Sequence, residues 1–183
     1  MQNQLFEVAL GIAKPWYVRG VDFDAARKVL TIGIDFVAGT RFATPGVDGA
    51  HRVHDTQTKR LRHLNFFQHC CYLEVRTPRV VKLPDGRVVQ IEPDWFGKLS
   101  GFTLLFEPLV LAMAQQMTSA AVAKLVNESW HRVDVICSRY VELAVAKADL
   151  SAVSAVAIDD TACRCGHDYL TIAADADERK VGL

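Results

Sequence analysis

No stretch of this sequence reaches the roughly 18–20 consecutive apolar residues that a membrane-spanning helix needs, which excludes a helical membrane anchor. The opening MQNQLFEVALGIAKPWYV has no basic start and no small-residue cleavage site, so no secretory signal is expected and the cytoplasm is the default. An excess of either charge is missing: 21 Lys+Arg balance 21 Asp+Glu, a total that does not favour nucleic acid. Internal repeats and low-complexity tracts are absent. Cysteine is sparse and badly spaced for a disulfide framework. The five (Cys70, Cys71, Cys137, Cys163 and Cys165) are odd in number, two are adjacent, and no CxxC occurs. Reduced thiols in a cytosolic protein fit that pattern.

What is present is a hydrophobic half and an uneven distribution of charge. Hydrophobic residues make up 50% of the 183, enough to bury a core and to rule out a disordered chain. Between His51 and Gln90, eight Lys/Arg (Arg52, Lys59, Arg60, Arg62, Arg76, Arg79, Lys82 and Arg87) stand against three acids (Asp55, Glu74 and Asp85). A basic stripe inside a neutral chain can be a DNA contact face, or simply a solvated surface.

Three textures follow one another. Residues 1–98 are rich in β-branched residues and turn signals. Arg27–Phe36, Cys70–Val75 and Arg87–Ile91 alternate as half-buried strands do, and Pro84-Asp85-Gly86 predicts a hairpin joining Arg79–Leu83 to Arg87–Ile91. Leu99–Thr103 is the expected hinge to residues 99–150, where glycine is scarce and the period is helical. A first helix starts near Leu104 with Thr103 as its cap, and Pro108 predicts an irregular beginning. Gln115–Ser119 breaks the pattern. Thr118 or Ser119 caps a short helix over 120–126, and Ser129 caps a longer one reaching Ala146. Long helix, short helix, long helix is the layout of a helix-turn-helix, and also of an ordinary three-helix packing unit. Val122, Leu125, Val126, Trp130, Val133 and Ile136 are expected inside; His131, Arg132, Asp134 and Arg139 are left outside. Residues 151–183 read as a strand, Val153–Ile158, ending in Asp159-Asp160, a turn at Thr161–His167, a second strand over Asp168–Ala174 and the start of a third.

Three groups of residues have chemical potential. Asp159, at the end of an apolar strand, stands where a metal-dependent nuclease places a carboxylate, although alone such a residue is ordinarily a turn residue. Cys163-x-Cys165-x-His167 is metal-capable but spaced more tightly than zinc sites, and reads as a turn. His51, His54, His63 and His69 read as part of a basic loop rather than a metal site.

Several stretches in order resemble the ISL-three family of insertion-sequence transposases: Lys14–Val18, His54-Asp55-Thr56, Arg62–Phe67, Val75–Arg79, Ser100–Thr103, Ile158–Thr161 and Gly166–Thr171. The resemblance spans essentially the whole chain. It implies an α+β protein in three parts: a zinc-ribbon-like module in 1–98, a helix-turn-helix in 99–150 that recognises terminal inverted repeats, and in 151–183 the first strands of a ribonuclease-H-like domain. The family cuts and joins DNA with an Asp-Asp-Glu triad and Mg²⁺, and Asp159 holds the position of its first Asp. The family's ribbon cysteines correspond here to Thr44, Val47, Leu83 and Gly86, none of which binds zinc, so no metal is expected. The second Asp and the Glu would lie past Leu183, so the 183 residues are expected to be a truncated transposase, catalytically incomplete alone. Its expected partner is double-stranded DNA at the nucleoid, with His131, Arg132 and Arg139 toward the major groove and Lys59, Arg60, Arg62 and Arg76 on phosphates. Association with itself or with full-length transposase is a further expectation. The alternative reading is a pseudogene product or an inhibitory partner of the full-length enzyme.

Overall fold

The computed structural model describes residues 2–44, 47–82, 86–99, 101–147, 151, 153–162, 169–176 and 180–182. Two compact units divide the chain, Met1–Cys137 and Ser138–Leu183. The first contains both the β-rich region and the expected helix-turn-helix, so the division falls within the last helix and not at the 98/99 or 150/151 boundaries read from the sequence.

In the first unit a short helix, α1 (Gln2–Leu10), precedes strands β1 (Trp16–Asp24), β2 (Val29–Phe36), β3 (Arg41–Thr44), β4 (Val47–Phe66), β5 (His69–Lys82) and β6 (Arg87–Gln90). They form a six-stranded sheet in the order β1-β2-β5-β4-β3, with β6 also on β5. All neighbours are antiparallel except β2 and β5, which run parallel with Val29 beside Cys70 and Ile34 beside Val75. The expected hairpin is present: Lys82 pairs with Arg87 and Arg79 with Gln90, while residues 83–85 of its turn lie outside the described residues. α1 was not foreseen. It covers the outer edge of β1, where Glu7 Oε1 accepts from the Val18 N–H at 2.8 Å and Asn3 Nδ2 donates to the Val18 carbonyl at 3.1 Å. A free sheet edge is an aggregation hazard, and this pair of bonds closes part of it.

Strand alternation gives the sheet two unlike faces. One carries Val18, Leu30, Ile32, Ile34, Leu61, Leu73 and Val75, a buried core completed by Trp16, Phe36, Phe42 and Phe96. The other carries Tyr17, Arg19, Asp35, Arg60, Arg62, Tyr72, Glu74 and Arg76.

Three helices follow: α2 (Phe106–Ala114), α3 (Ser119–Val126) and α4 (Trp130–Val145). α2 starts later than expected. The Thr103 hydroxyl is not its cap but lies 2.9 Å from His63 Nδ1, and only the Thr103 carbonyl accepts from Phe106 and Glu107. With the start at Phe106, Pro108 falls in the first turn, where its missing N–H has no intrahelical partner to lose. The expected irregularity is therefore absent.

The second unit holds a three-stranded antiparallel sheet, β7 (Val156–Ala162), β8 (Tyr169–Asp175) and β9 (Lys180–Gly182). Strands were expected in all three places, although β7 runs three to four residues later than Val153–Ile158. No helix among the described residues is long and apolar enough to cross a membrane.

Candidate nucleic-acid interface

Local chemistry shapes the helix–turn–helix segment. Thr118 is extended (φ −66°, ψ 151°) and its hydroxyl accepts from the Ala121 N–H at 3.3 Å, capping α3. Asn127 ends α3 in the left-handed region (φ 55°, ψ 50°), a conformation asparagine tolerates better than most residues. The Glu128 N–H then reaches back to the Ala123 carbonyl at 3.0 Å, closing the helix end. Two residues on, the Ser129 hydroxyl accepts from the Arg132 N–H at 3.3 Å and caps α4. A three-residue turn between capped helices has the length usual for this motif. Val122, Val126, Val133 and Ile136 are buried as expected, together with Phe106 and Val110 of α2.

Two expected core residues face outward instead. Leu125 is 60% exposed and Trp130 is 62% exposed. The N-terminal part of α4 therefore displays Trp130, His131 and Asp134, with the two rings of Trp130 and His131 5.9 Å apart. Helix period assigned Trp130 to the core because it lies three residues before Val133. It lies outside because which turns of the helix meet the core is set by tertiary packing, something periodicity does not encode.

Beneath this segment lies a buried charge cluster centred on Arg62, whose side chain is fully enclosed. Its guanidinium donates to the carbonyls of His63, Cys71 (3.2 Å) and Val126 (2.9 Å) and to Asn65 Oδ1. Its Nε lies 3.5 Å from Glu128 Oε1, at ion-pair distance but without hydrogen-bond alignment. The other Glu128 oxygen accepts from Arg132 at 2.5 Å, and Arg132 also lies 4.3 Å over the Phe102 ring and 3.4 Å from the Gly101 carbonyl. Arg62 thus fastens β4 to the C-terminal end of α3. It does not reach solvent, so the phosphate contact expected of it is replaced by a structural role. Arg132 remains part-exposed but is held against the sheet side.

The expected hinge at Leu99–Thr103 is likewise a joint. The Arg62 N–H donates to the Gly101 carbonyl at 2.8 Å, and the Thr103 N–H donates to the Arg62 carbonyl at 3.0 Å. The fully buried Glu107 carboxylate accepts from the Lys98 and Leu99 N–H groups at 3.0 and 2.9 Å. His63, enclosed beside this joint, has its pKa pushed down to about 4 by burial and by the neighbouring Arg62 charge, so its ring is neutral at neutral pH.

The remaining predicted contacts are dispersed. Lys59 is paired with Glu92 at 2.7 Å. Arg60 is exposed and lies 4.1 Å over the Tyr72 ring. Arg76 bonds Thr56 Oγ1 at 3.2 Å and lies 3.4 Å from Asp35 Oδ2, with half its side chain in solvent. Arg79 is held by Asp55 through two bonds, and that hydrogen bond lowers the Asp55 pKa. Arg139, in the second half of α4, is exposed and paired with Glu142 at 3.3 Å. His51 and His54 lie on β4, a strand, rather than on a loop.

In the second unit Asp159 is exposed and sits in the middle of β7 opposite Ile172, not at a strand end. Asp160 accepts from the Thr171 hydroxyl at 2.6 Å. Among the described residues no group of three or more His, Cys, Asp or Glu side chains is placed to hold a metal ion. Among the described residues Asp159 therefore lacks the further carboxylates that a two-metal centre needs. Cys163, Cys165 and His167 lie outside the described residues.

Residues 91–141 match the family model described as the helix-turn-helix domain of transposase family ISL3. That match begins at Ile91, before the joint, and ends within α4. A transposase for insertion sequence element IS1001 from Bordetella parapertussis is 26% identical over 130 residues, covering 71% of this chain. The matched stretch spans 32% of that relative's length. No solved structure matches the chain. The capped helices of 106–145 thus overlap a stretch similar to the helix-turn-helix domain of ISL3-family transposases, in a chain that resembles an insertion-sequence transposase over part of that relative's length.

Proposed function

We propose that these residues bind the terminal inverted repeats of an insertion sequence, with α4 as the recognition helix. One observation carries the reading: Trp130, His131 and Asp134 stand exposed on the first turns of a helix whose opposite face is fixed by buried Val133 and Ile136. The N-terminal residues of a recognition helix are the ones that meet base edges in the major groove. His131 can donate to or accept from a base edge, Asp134 can accept from a cytosine amino group, and Trp130 offers apolar contact to a thymine methyl or sugar. Arg132, tied to Glu128, positions the start of the helix. Arg60 and Arg139, each exposed, are assigned phosphate contacts in this reading. The β-rich module corresponds, in this reading, to a ribbon that folds by packing instead of zinc; its two adjacent hairpins, β3–β4 and β5–β6, support that correspondence. Asp159 belongs in the same reading to a strand-cutting centre of the family type. Such a centre needs several carboxylates around its metal ions, so the activity assigned to the residues described is binding.

Fluorescence anisotropy with a labelled inverted-repeat duplex and a scrambled duplex tests the reading. The wild-type chain should prefer the repeat. His131→Ala and Trp130→Ala should each lose discrimination by the equivalent of about 1–3 kcal/mol, the value of a base contact, with little change in thermal stability. Equal affinity for both duplexes, or none for either, would refute it.

A further inference from the structure

Away from the helices, the charged face of the sheet ends in a cleft of about 610 Å³ lined by Tyr17, Asp35, Thr56, Arg41, Arg52 and Arg76, among others. Its volume lies within the roughly 300–1,000 Å³ typical of ligand sites. Arg41 and Arg52 are direct cross-strand partners on β3 and β4, so their side chains leave the sheet on the same side. Like charges placed opposite one another destabilise a strand pair unless something of opposite charge lies between them. Among the described residues neither arginine has an ion-pair partner, whereas Arg27, Lys59, Arg62, Arg76, Arg79, Arg132 and Arg139 each have one. Among the described residues the only carboxylate lining the cleft, Asp35, already faces Arg76 and also accepts from the Phe36 N–H at 2.8 Å. The cleft therefore has two positive charges in excess, with the Thr56 hydroxyl beside the Arg76 Nε at 3.2 Å.

We infer that this cleft is a phosphate-binding site, and that its occupant is a backbone phosphodiester of the DNA held by the helix-turn-helix. The occupant rests on the DNA-binding reading above; the anion site does not. Paired arginine forks suit a phosphate because each presents several donors in one plane. A contact here would add a second, sequence-independent hold on the duplex, remote from α4.

The test uses the full chain and the double variant Arg41→Gln/Arg52→Gln, which removes the repulsion and should fold at least as stably. Thermal unfolding is followed in rising inorganic phosphate, with chloride at matched ionic strength as control. The wild-type midpoint should rise with phosphate specifically and the variant's should not; equal response of the two proteins overturns the site. Duplex affinity is then measured against salt. Each phosphate contact contributes about 0.9 to the slope of log affinity on log salt, so the variant, having lost one phosphate, should show a slope shallower by about one. An unchanged slope with the duplex still bound overturns the cleft as a DNA contact and leaves the helix reading standing. Phosphate stabilisation without duplex binding by either protein keeps the anion site and removes the DNA-binding reading.

Discussion

At the scale of single residues, buried polar groups define this protein more than its surface charges do. Arg62 shows why a count of basic residues misleads. In the sequence it is one member of a stripe; in the structure four acceptors and a carboxylate enclose it, drawn from β4, β5, the end of α3 and the turn after it. Nothing local marks that fate, because two of those partners lie more than sixty positions away along the chain. His63 follows the same logic and has a measurable consequence. Its folded pKa is depressed to about 4 from the ordinary 6.5. Between those values the unfolded chain binds a proton that the folded chain refuses, so stability must rise with pH across the window. The contribution is complete above about pH 6.5 and is lost as pH falls toward 4, by about 3 kcal/mol at 1.4 kcal/mol per unit. Urea unfolding at several pH values between 4 and 7 should show that slope for the wild type and a flatter one for His63→Gln. Parallel profiles would mean that this ring does not carry the effect.

At the scale of elements, the helices were legible and the joint between them and the sheet was not. Caps and breaks are local chemistry: Thr118, Ser129 and the Gln115–Ser119 interruption all act within four residues of themselves, so reading them in order gave α3 and α4 nearly to the residue. The twenty-residue β4 was missed because one of its faces is charged and its apolar alternation is therefore incomplete. The Leu99–Thr103 segment read as a hinge because the texture changes there from β-rich to helical. Packing makes it a fixed joint, together with the preceding Gly97. A Cβ at Gly97 would lie 2.2 Å from Glu107 Oε1 and 2.9 Å from the Phe102 carbonyl, so glycine is what lets the carboxylate reach the Lys98 and Leu99 N–H groups. Gly97→Ala should cost about 1–3 kcal/mol, as overpacking does. Glu107→Ala should cost a comparable amount by leaving two N–H groups without their acceptor. The two changes should not add: with the carboxylate gone, the new methyl group loses its worst clash and keeps only the one with the Phe102 carbonyl. A double-mutant cycle in chemical denaturant measures the difference, and strict additivity would show that Gly97 and Glu107 are not coupled as described.

At the scale of the whole molecule, the question is whether the β-rich region and the helix-turn-helix are two domains on a hinge, as the change of texture near residue 98 suggested, or one body. The sequence shows where composition changes; it does not show that Arg62, Glu107 and the Arg62–Thr103 backbone pair tie the two textures together. Because those groups lose their partners when either side unfolds, Met1–Cys137 should unfold as one cooperative unit. The three tryptophans provide separate reporters. Trp16 and Trp95 pack edge to face in and against the sheet core, whereas Trp130 sits exposed at the start of α4. In single-tryptophan variants followed by fluorescence, the denaturation curves of the Trp16 and Trp130 reporters should coincide. Arg62→Met should then move the Trp130 midpoint to lower denaturant more than the Trp16 midpoint, because Glu128 is left buried beside the helices without its partner, a loss of about 3–5 kcal/mol for a buried pair. Two separate wild-type transitions would restore the hinge and make the Arg62 cluster a contact between independent domains. A single transition makes it the reason that α4, the recognition helix of the proposed reading, starts from a fixed base, as a helix that reads base edges would need.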